Sequence, residues 1–180
     1  MSGMYAPDDT LAWLIGQIEA MPDVNRILEL GSGQSTAKLA RAIAGREGAL
    51  LLSVEENPDY ARDTVINLES AHLLNVAFVA YYPLADRTLA GETCRSYGFP
   101  VFETCLDFQV LFVDGPSTGG LARARAVLDA RPLLAKGCLI VLDDANREDE
   151  QRCIAALSKH GVIWMDPIPT ERGLAAGAWA

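Results

Sequence analysis

The sequence predicts an α/β protein built on a mostly parallel sheet, and three observations carry that prediction. Short apolar runs without polar alternation recur along the 180 residues, as strands buried on both faces require. Segments of helical periodicity separate them. The first run, Arg26–Leu30, enters a Gly31-Ser32-Gly33 turn and then a helical pattern of Ala37, Leu39, Ala40, Ile43 and Ala44. A strand, a glycine turn and a helix opening leave bare backbone and unpaired N–H groups at the carboxyl end of a parallel strand. Nucleotide-type ligands bind in such places.

In chain order, Asp8 to Met21 reads as a helix capped by Asp9 or Thr10. Leu11, Leu14, Ile15 and Ile18 form its apolar face, and Pro22-Asp23 stops it. The glycine unit follows, its helix ending near Gly45. Ala49–Val54 is the second strand, closing on Glu55-Glu56-Asn57-Pro58; Pro58–Ser70 is a helix and Asn75–Ala80 the third strand. Tyr81 to Asp107 carries Pro83, Gly91, Gly98 and Pro100 and reads as a loop, of a length uncommon unless functional. Phe108–Val113 is the fourth strand, ending in Asp114-Gly115-Pro116-Ser117. In the next helix, Gly119 to Leu134, the residues Leu121, Ala124, Val127 and Leu128 face inward, with Arg123, Arg125 and Arg131 elsewhere. Gly137–Leu142 is the fifth strand, ending in Asp143-Asp144; Glu148–His160 is a helix and Gly161–Met165 the sixth strand. Leu174–Trp179 is the last strand, antiparallel to its neighbour because the connection leaves no room for a crossover helix.

Composition narrows the function. The length suits one domain with a full core. A net charge of −9 with scattered Lys and Arg argues against nucleic acid, whose binding rests on phosphate neutralisation. No apolar run is long enough to span a bilayer. Met1–Asp9 has no basic region and no signal-peptide core, and Cys94, Cys105, Cys138 and Cys153 show no Cys-x-x-Cys spacing. Reduced thiols in a cytoplasm are expected, with Cys138 a small buried hydrophobe. His72 and His160 fall near helix ends, and no Ser/His/Asp set or Cys/His metal spacing is visible.

The chemistry gathers at strand ends. Glu29, two residues before Gly31, suits a cationic ligand directly or through water. Glu55 closes the second strand, where a carboxylate can accept both hydroxyls of a ribose; Glu56 reads as a solvated turn acid. Thr36 stands where a dinucleotide fingerprint needs its third glycine, which disfavours NAD. Asp114 and Asp143/Asp144 end adjacent parallel strands and should converge on the same crevice.

The string Leu28–Gly33 resembles the first motif of class I S-adenosylmethionine (SAM)-dependent methyltransferases. Val113–Pro116 and Ile140–Arg147 look like a branch rich in small-molecule O-methyltransferases. The resemblance implies a Rossmann-like three-layer sandwich over residues 1–180, a seven-stranded, mostly parallel sheet with an antiparallel last strand. It implies SAM held by Glu29, Gly31, Ser32, Gly33, Ser35, Glu55 and Asp114, with Tyr81, Tyr82 and Leu84 flanking the adenine. Asp114 becomes the candidate base, and Asp114, Asp143 and Asp144 a candidate magnesium site. Ser117 departs from the catechol-type pattern, which places a lysine base there. The N-terminal region is also shorter than in many members, so substrate-recognition helices are expected to be missing. The reading is a cytoplasmic enzyme methylating oxygen on a small-molecule acceptor, with a homodimer as the assembly expected. A SAM-binding partner or sensor domain without turnover and an NAD-linked oxidoreductase are the alternatives.

Overall fold

A computed structural model describes residues 8–99 and 106–180. Cys105, residues 1–7 of the N-terminal segment and residues 100–105 of the expected loop lie outside the described residues. The elements are α1 (Asp8–Ala20), β1 (Arg26–Leu30), α2 (Gln34–Ile43), β2 (Leu50–Glu55), α3 (Pro58–Ser70), β3 (Ala77–Tyr81), β4 (Leu84–Leu89), β5 (Glu92–Tyr97), β6 (Phe108–Val113), α4 (Ala122–Ala130), β7 (Leu134–Asp143), α5 (Glu148–Lys159), β8 (Val162–Trp164) and β9 (Leu174–Trp179). A seven-stranded sheet runs in the order β3-β2-β1-β6-β7-β9-β8, with β9 antiparallel to both neighbours. The other neighbouring pairs are parallel.

Alternation along the strands builds the layers. Ile27, Leu51, Val110, Phe112 and Val141 pack with Leu14 and Ile18 of α1, Leu39 and Ile43 of α2 and Leu68 of α3. Leu28, Leu30, Leu111, Val113, Ile140 and Leu142 pack on the other face with Val127 of α4 and Leu157 of α5. The sheet is therefore buried on both faces, which is why its strands read as unbroken apolar runs.

Two expectations are corrected. The stretch after β3 is not all loop: β4 and β5 form an antiparallel hairpin pairing Leu84 with Tyr97 through Leu89 with Glu92. It stands between the third and fourth strands of the large sheet in chain order, and Leu89 and Tyr97 bury into the α4 face of the core. Arg123 does not face elsewhere; it is 6 % exposed and points inward from α4.

Candidate functional site

The sheet order sets β1 between β2 and β6, so connections leave β1 and β6 in opposite directions and a crevice opens at their carboxyl ends. The two glycines of the turn do different work there. Gly31 has φ +94°, and a Cβ on it would lie 2.9 Å from Gly115 N and 3.0 Å from the Asp114 carbonyl carbon. Glycine at this position lets the β1 and β6 loops cross with backbone touching backbone. Gly33 is extended, and a Cβ there would meet nothing within 4 Å. No protein contact requires glycine at 33; the space a Cβ would take there is open.

Beneath the turn lies Glu29, with no exposed surface. Its Oε1 accepts the Ser35 hydroxyl, and its Oε2 accepts those of Thr36 and Ser53, each at 2.6 Å. Burial pushes its carboxyl up to about 7 against the pull of these hydroxyls. Thr36 Oγ1 in turn accepts Gly33 N–H at 2.9 Å. The residue in the third-glycine place thus ties the turn to Glu29. Glu29 and Ser35 are both buried and bonded to each other beneath the turn.

Glu55 is 3 % exposed and sits beside the turn. Its Oε2 accepts Ser32 N–H at 2.9 Å and Ser32 Oγ at 3.0 Å, and its Oε1 accepts Asn57 N–H at 2.8 Å. Burial raises its pKa above the ordinary carboxylate value. Glu56 is not a solvated turn acid. Its Oε2 accepts the Tyr97 hydroxyl at 3.0 Å, and its Oε1 accepts Ser117 N–H and Oγ at 3.1 Å. The chain leaves β2 at Glu55, so strand alternation no longer governs Glu56, which turns toward the β6 loop. Ser117, at the lysine position of the catechol-type pattern, is held by this carboxylate.

Asp114, Asp143 and Asp144 converge as expected: one ligand atom from each lies within 4.8 Å of the others. Asp143 and Asp144 are buried at 0 % and 2 % exposure, while Asp114 opens to the crevice. Burial pushes the Asp114 carboxyl up to about 8, opposed by the Arg123 charge and reinforced by Asp143, Asp144 and Glu29. Thr10 Oγ1 donates to Asp143 Oδ1 at 3.1 Å. Sequence reasoning missed Arg123. Its Nη2 stands 3.5 Å from both Asp114 Oδ1 and Asp144 Oδ2 and donates to the Asp114 carbonyl at 2.7 Å. Its Nη1 donates to the Asp143 carbonyl at 3.1 Å. The three carboxylates could hold a cation, and the Arg123 guanidinium already touches two of them.

An open cleft of about 340 Å³ adjoins the cluster, lined by Ser117, Gly119, Arg147 and Asp149 among others. Tyr81 is 50 % exposed at the end of β3. Tyr82 packs edge-on against Phe99 at 5.2 Å, and Leu84 packs against the core, so both serve the hairpin. His72 and His160 are exposed at the ends of α3 and α5. Cys138 is buried as expected, and burial pushes its thiol up to about 12.

No protein-family model matches the sequence, and no curated protein matches it. Solved structures do match. The O-methyltransferase TomG from Streptomyces achromogenes, involved in tomaymycin synthesis and solved with SAM, superposes with a TM-score of 0.72 at 16% identity, covering 100% of this chain and 83% of its own. The S-adenosylhomocysteine-bound methyltransferase PaMTH1 of Podospora anserina gives 0.71 at 15% identity, over 98% and 80% of the two chains. The Bacillus cereus O-methyltransferase, in complex with S-adenosylhomocysteine, gives 0.70 at 16% identity, over 100% and 84%. The chain has the fold of these methyltransferases.

Proposed function

We propose that residues 1–180 form one SAM-dependent methyltransferase domain acting on the oxygen of a small-molecule acceptor. The observation that carries the reading is the open space above Gly33 at the β1/β6 switch point, flanked by Glu55. SAM, when bound, supplies a methyl group already activated on a sulfonium. Gly31, Ser32 and Gly33 give it bare backbone to lie against, and Glu55 accepts its ribose hydroxyls in exchange for Ser32. Buried Glu29 and Ser35 keep the turn in shape. Thr36 supports SAM over NAD, because its hydroxyl is bonded on both sides where a dinucleotide site needs glycine.

The chain's remaining task is to align the acceptor and remove its proton. Asp114 faces the crevice and is the base in this reading. Burial makes its carboxylate a stronger base than an exposed one. The neighbouring TomG and Bacillus cereus proteins are O-methyltransferases, which supports oxygen as the acceptor atom. The net charge of −9 supports a small molecule over a nucleic acid. Among the described residues no helix is long and apolar enough to cross a membrane. A cytoplasmic location is proposed on the cysteines, which show no Cys-x-x-Cys spacing.

Thermal-shift titration with SAM, S-adenosylhomocysteine and NAD tests the ligand. Ligand at a hundred times its Kd adds about 2.7 kcal/mol to native stability. SAM and S-adenosylhomocysteine should raise the midpoint and NAD should not; a shift with NAD alone overturns the reading. Glu55→Ala should weaken S-adenosylhomocysteine binding by roughly 1.5–3 kcal/mol, the range for hydrogen bonds to a charged group.

A further inference from the structure

We infer that Arg123 is the resident cation of the Asp114–Asp143–Asp144 cluster, taking the part that a divalent metal plays in comparable acid clusters and excluding one. The guanidinium comes from α4, is 6 % exposed, and is fixed by the carbonyls that end β6 and β7, those of Asp114 and Asp143. It touches three carboxylates at once: Asp114 and Asp144 at 3.5 Å and Glu150 at 3.4 Å. Asp144 is served further by Arg147 Nη1 at 2.8 Å and Arg172 Nη1 at 3.8 Å.

Charge decides between the two cations. Arg123 is the buried cation among these acids and pairs with Asp114, Asp144 and Glu150, while Arg147 and Arg172 reach Asp144 from exposed positions. A divalent ion in this cluster would stand within a few ångströms of a guanidinium that cannot lose its proton, and the two cations would repel. Magnesium also demands near-octahedral oxygens at about 2.0–2.1 Å. The Asp144 oxygen nearest Arg123 is already spent on Arg147, and one Asp143 oxygen on Thr10. Removing the guanidinium reverses the balance. It strands the carboxylates that Arg123 touches, beside Asp143 Oδ2 and Asp144 Oδ1, which take no hydrogen bond in the native chain.

The inference concerns the crevice proposed above but does not depend on methyl transfer, since the test reads ion binding. The probe is Mn²⁺, followed by electron paramagnetic resonance and by its effect on the melting midpoint, in the native chain, in Arg123→Met and in Arg123→Met/Asp144→Asn. The native chain should show no saturable Mn²⁺ and an unchanged midpoint. Arg123→Met should bind one Mn²⁺ per chain at least tenfold more tightly, melt higher in its presence, and lose both effects in the double variant. Should Arg123→Met not fold, Arg123→Gln enters the same comparison. Saturable Mn²⁺ on the native chain that Asp144→Asn removes overturns the inference. So does a folded Arg123 variant that binds Mn²⁺ no better than the native chain.

Discussion

Replacing each glycine of the β1 turn with alanine separates a structural from a ligand-binding requirement within three residues. At Gly31 the alanine must adopt φ +94°, which costs about 1–2 kcal/mol for an L residue. Its Cβ would also stand 2.9 Å from the backbone nitrogen of Gly115, where no flexible side-chain end can swing away. Pushing two backbone segments apart in a packed region adds about 1–3 kcal/mol. The sum, about 2–5 kcal/mol, is a large share of a typical domain's stability. At about 2–4 °C per kcal/mol for a chain of this size, Gly31→Ala should melt about 4–20 °C lower. Gly33→Ala meets nothing within 4 Å, so its melt should stay within about 0.5 kcal/mol of native. Its methyl group would occupy the space proposed for the ligand, and S-adenosylhomocysteine affinity should fall at least about tenfold, or 1.4 kcal/mol. Melts and isothermal titration calorimetry on the two variants give the result. Native affinity in Gly33→Ala, or a native melt in Gly31→Ala, refutes the division of labour.

Three further outcomes follow from the same geometry. Glu56→Ala leaves the Tyr97 hydroxyl buried without its acceptor and should cost about 1–3 kcal/mol; a double-mutant cycle with Tyr97→Phe by urea unfolding should show coupling, and strict additivity would mean the bond is not made. Thr36→Gly, which restores a complete dinucleotide fingerprint, should lower the melting midpoint by removing a Glu29 donor and the Gly33 acceptor, and a thermal-shift assay should still find no NAD binding. Glu29 and Asp114 are raised by burial to about 7 and about 8, so each holds its proton more tightly folded than unfolded. Their contribution is full below the unfolded pKa and is lost as pH rises through the folded one, so urea midpoints should fall from about pH 4 to about pH 8, with Asp114→Asn flattening the upper part; midpoints that rise over this window contradict the assigned burial.

Legibility in the sequence followed the physics of each element. The strands of the large sheet were readable because both faces are buried and their runs, such as Phe108–Val113, carry few polar residues. The hairpin was hidden for two reasons. β4 presents Asp86 and Thr88 to solvent, and the turn is Ala90-Gly91, with both residues at positive φ. Asn-Gly or Asp-Gly would have announced such a turn; alanine there gives no signal. At the site, Glu55 and the three aspartates were legible because strand ends converge in a parallel sheet. Arg123 was not. An arginine among Arg125 and Arg131 on a helix reads as surface, and only the partners waiting at two strand ends make its burial affordable. Glu56 was read as a solvated turn acid because its partners, Tyr97 and Ser117, come from distant segments that fold back over the end of β2.

The β4–β5 hairpin also divides its own length into two territories. The end at Tyr97 is committed to the crevice through Glu56, and Ser96 and Thr118 pin the ribbon to its surroundings by donating to the Ala122 and Arg95 carbonyls. The other end, Ala90-Gly91, is exposed, just past the Leu89–Glu92 pair five register steps away, about 17 Å along the strands. A fluorophore or an inserted peptide at Ala90-Gly91 would ride on the same rigid ribbon as Tyr97 without entering the crevice. The tip is therefore a natural mounting point for a reporter that senses the Glu56 bridge from outside.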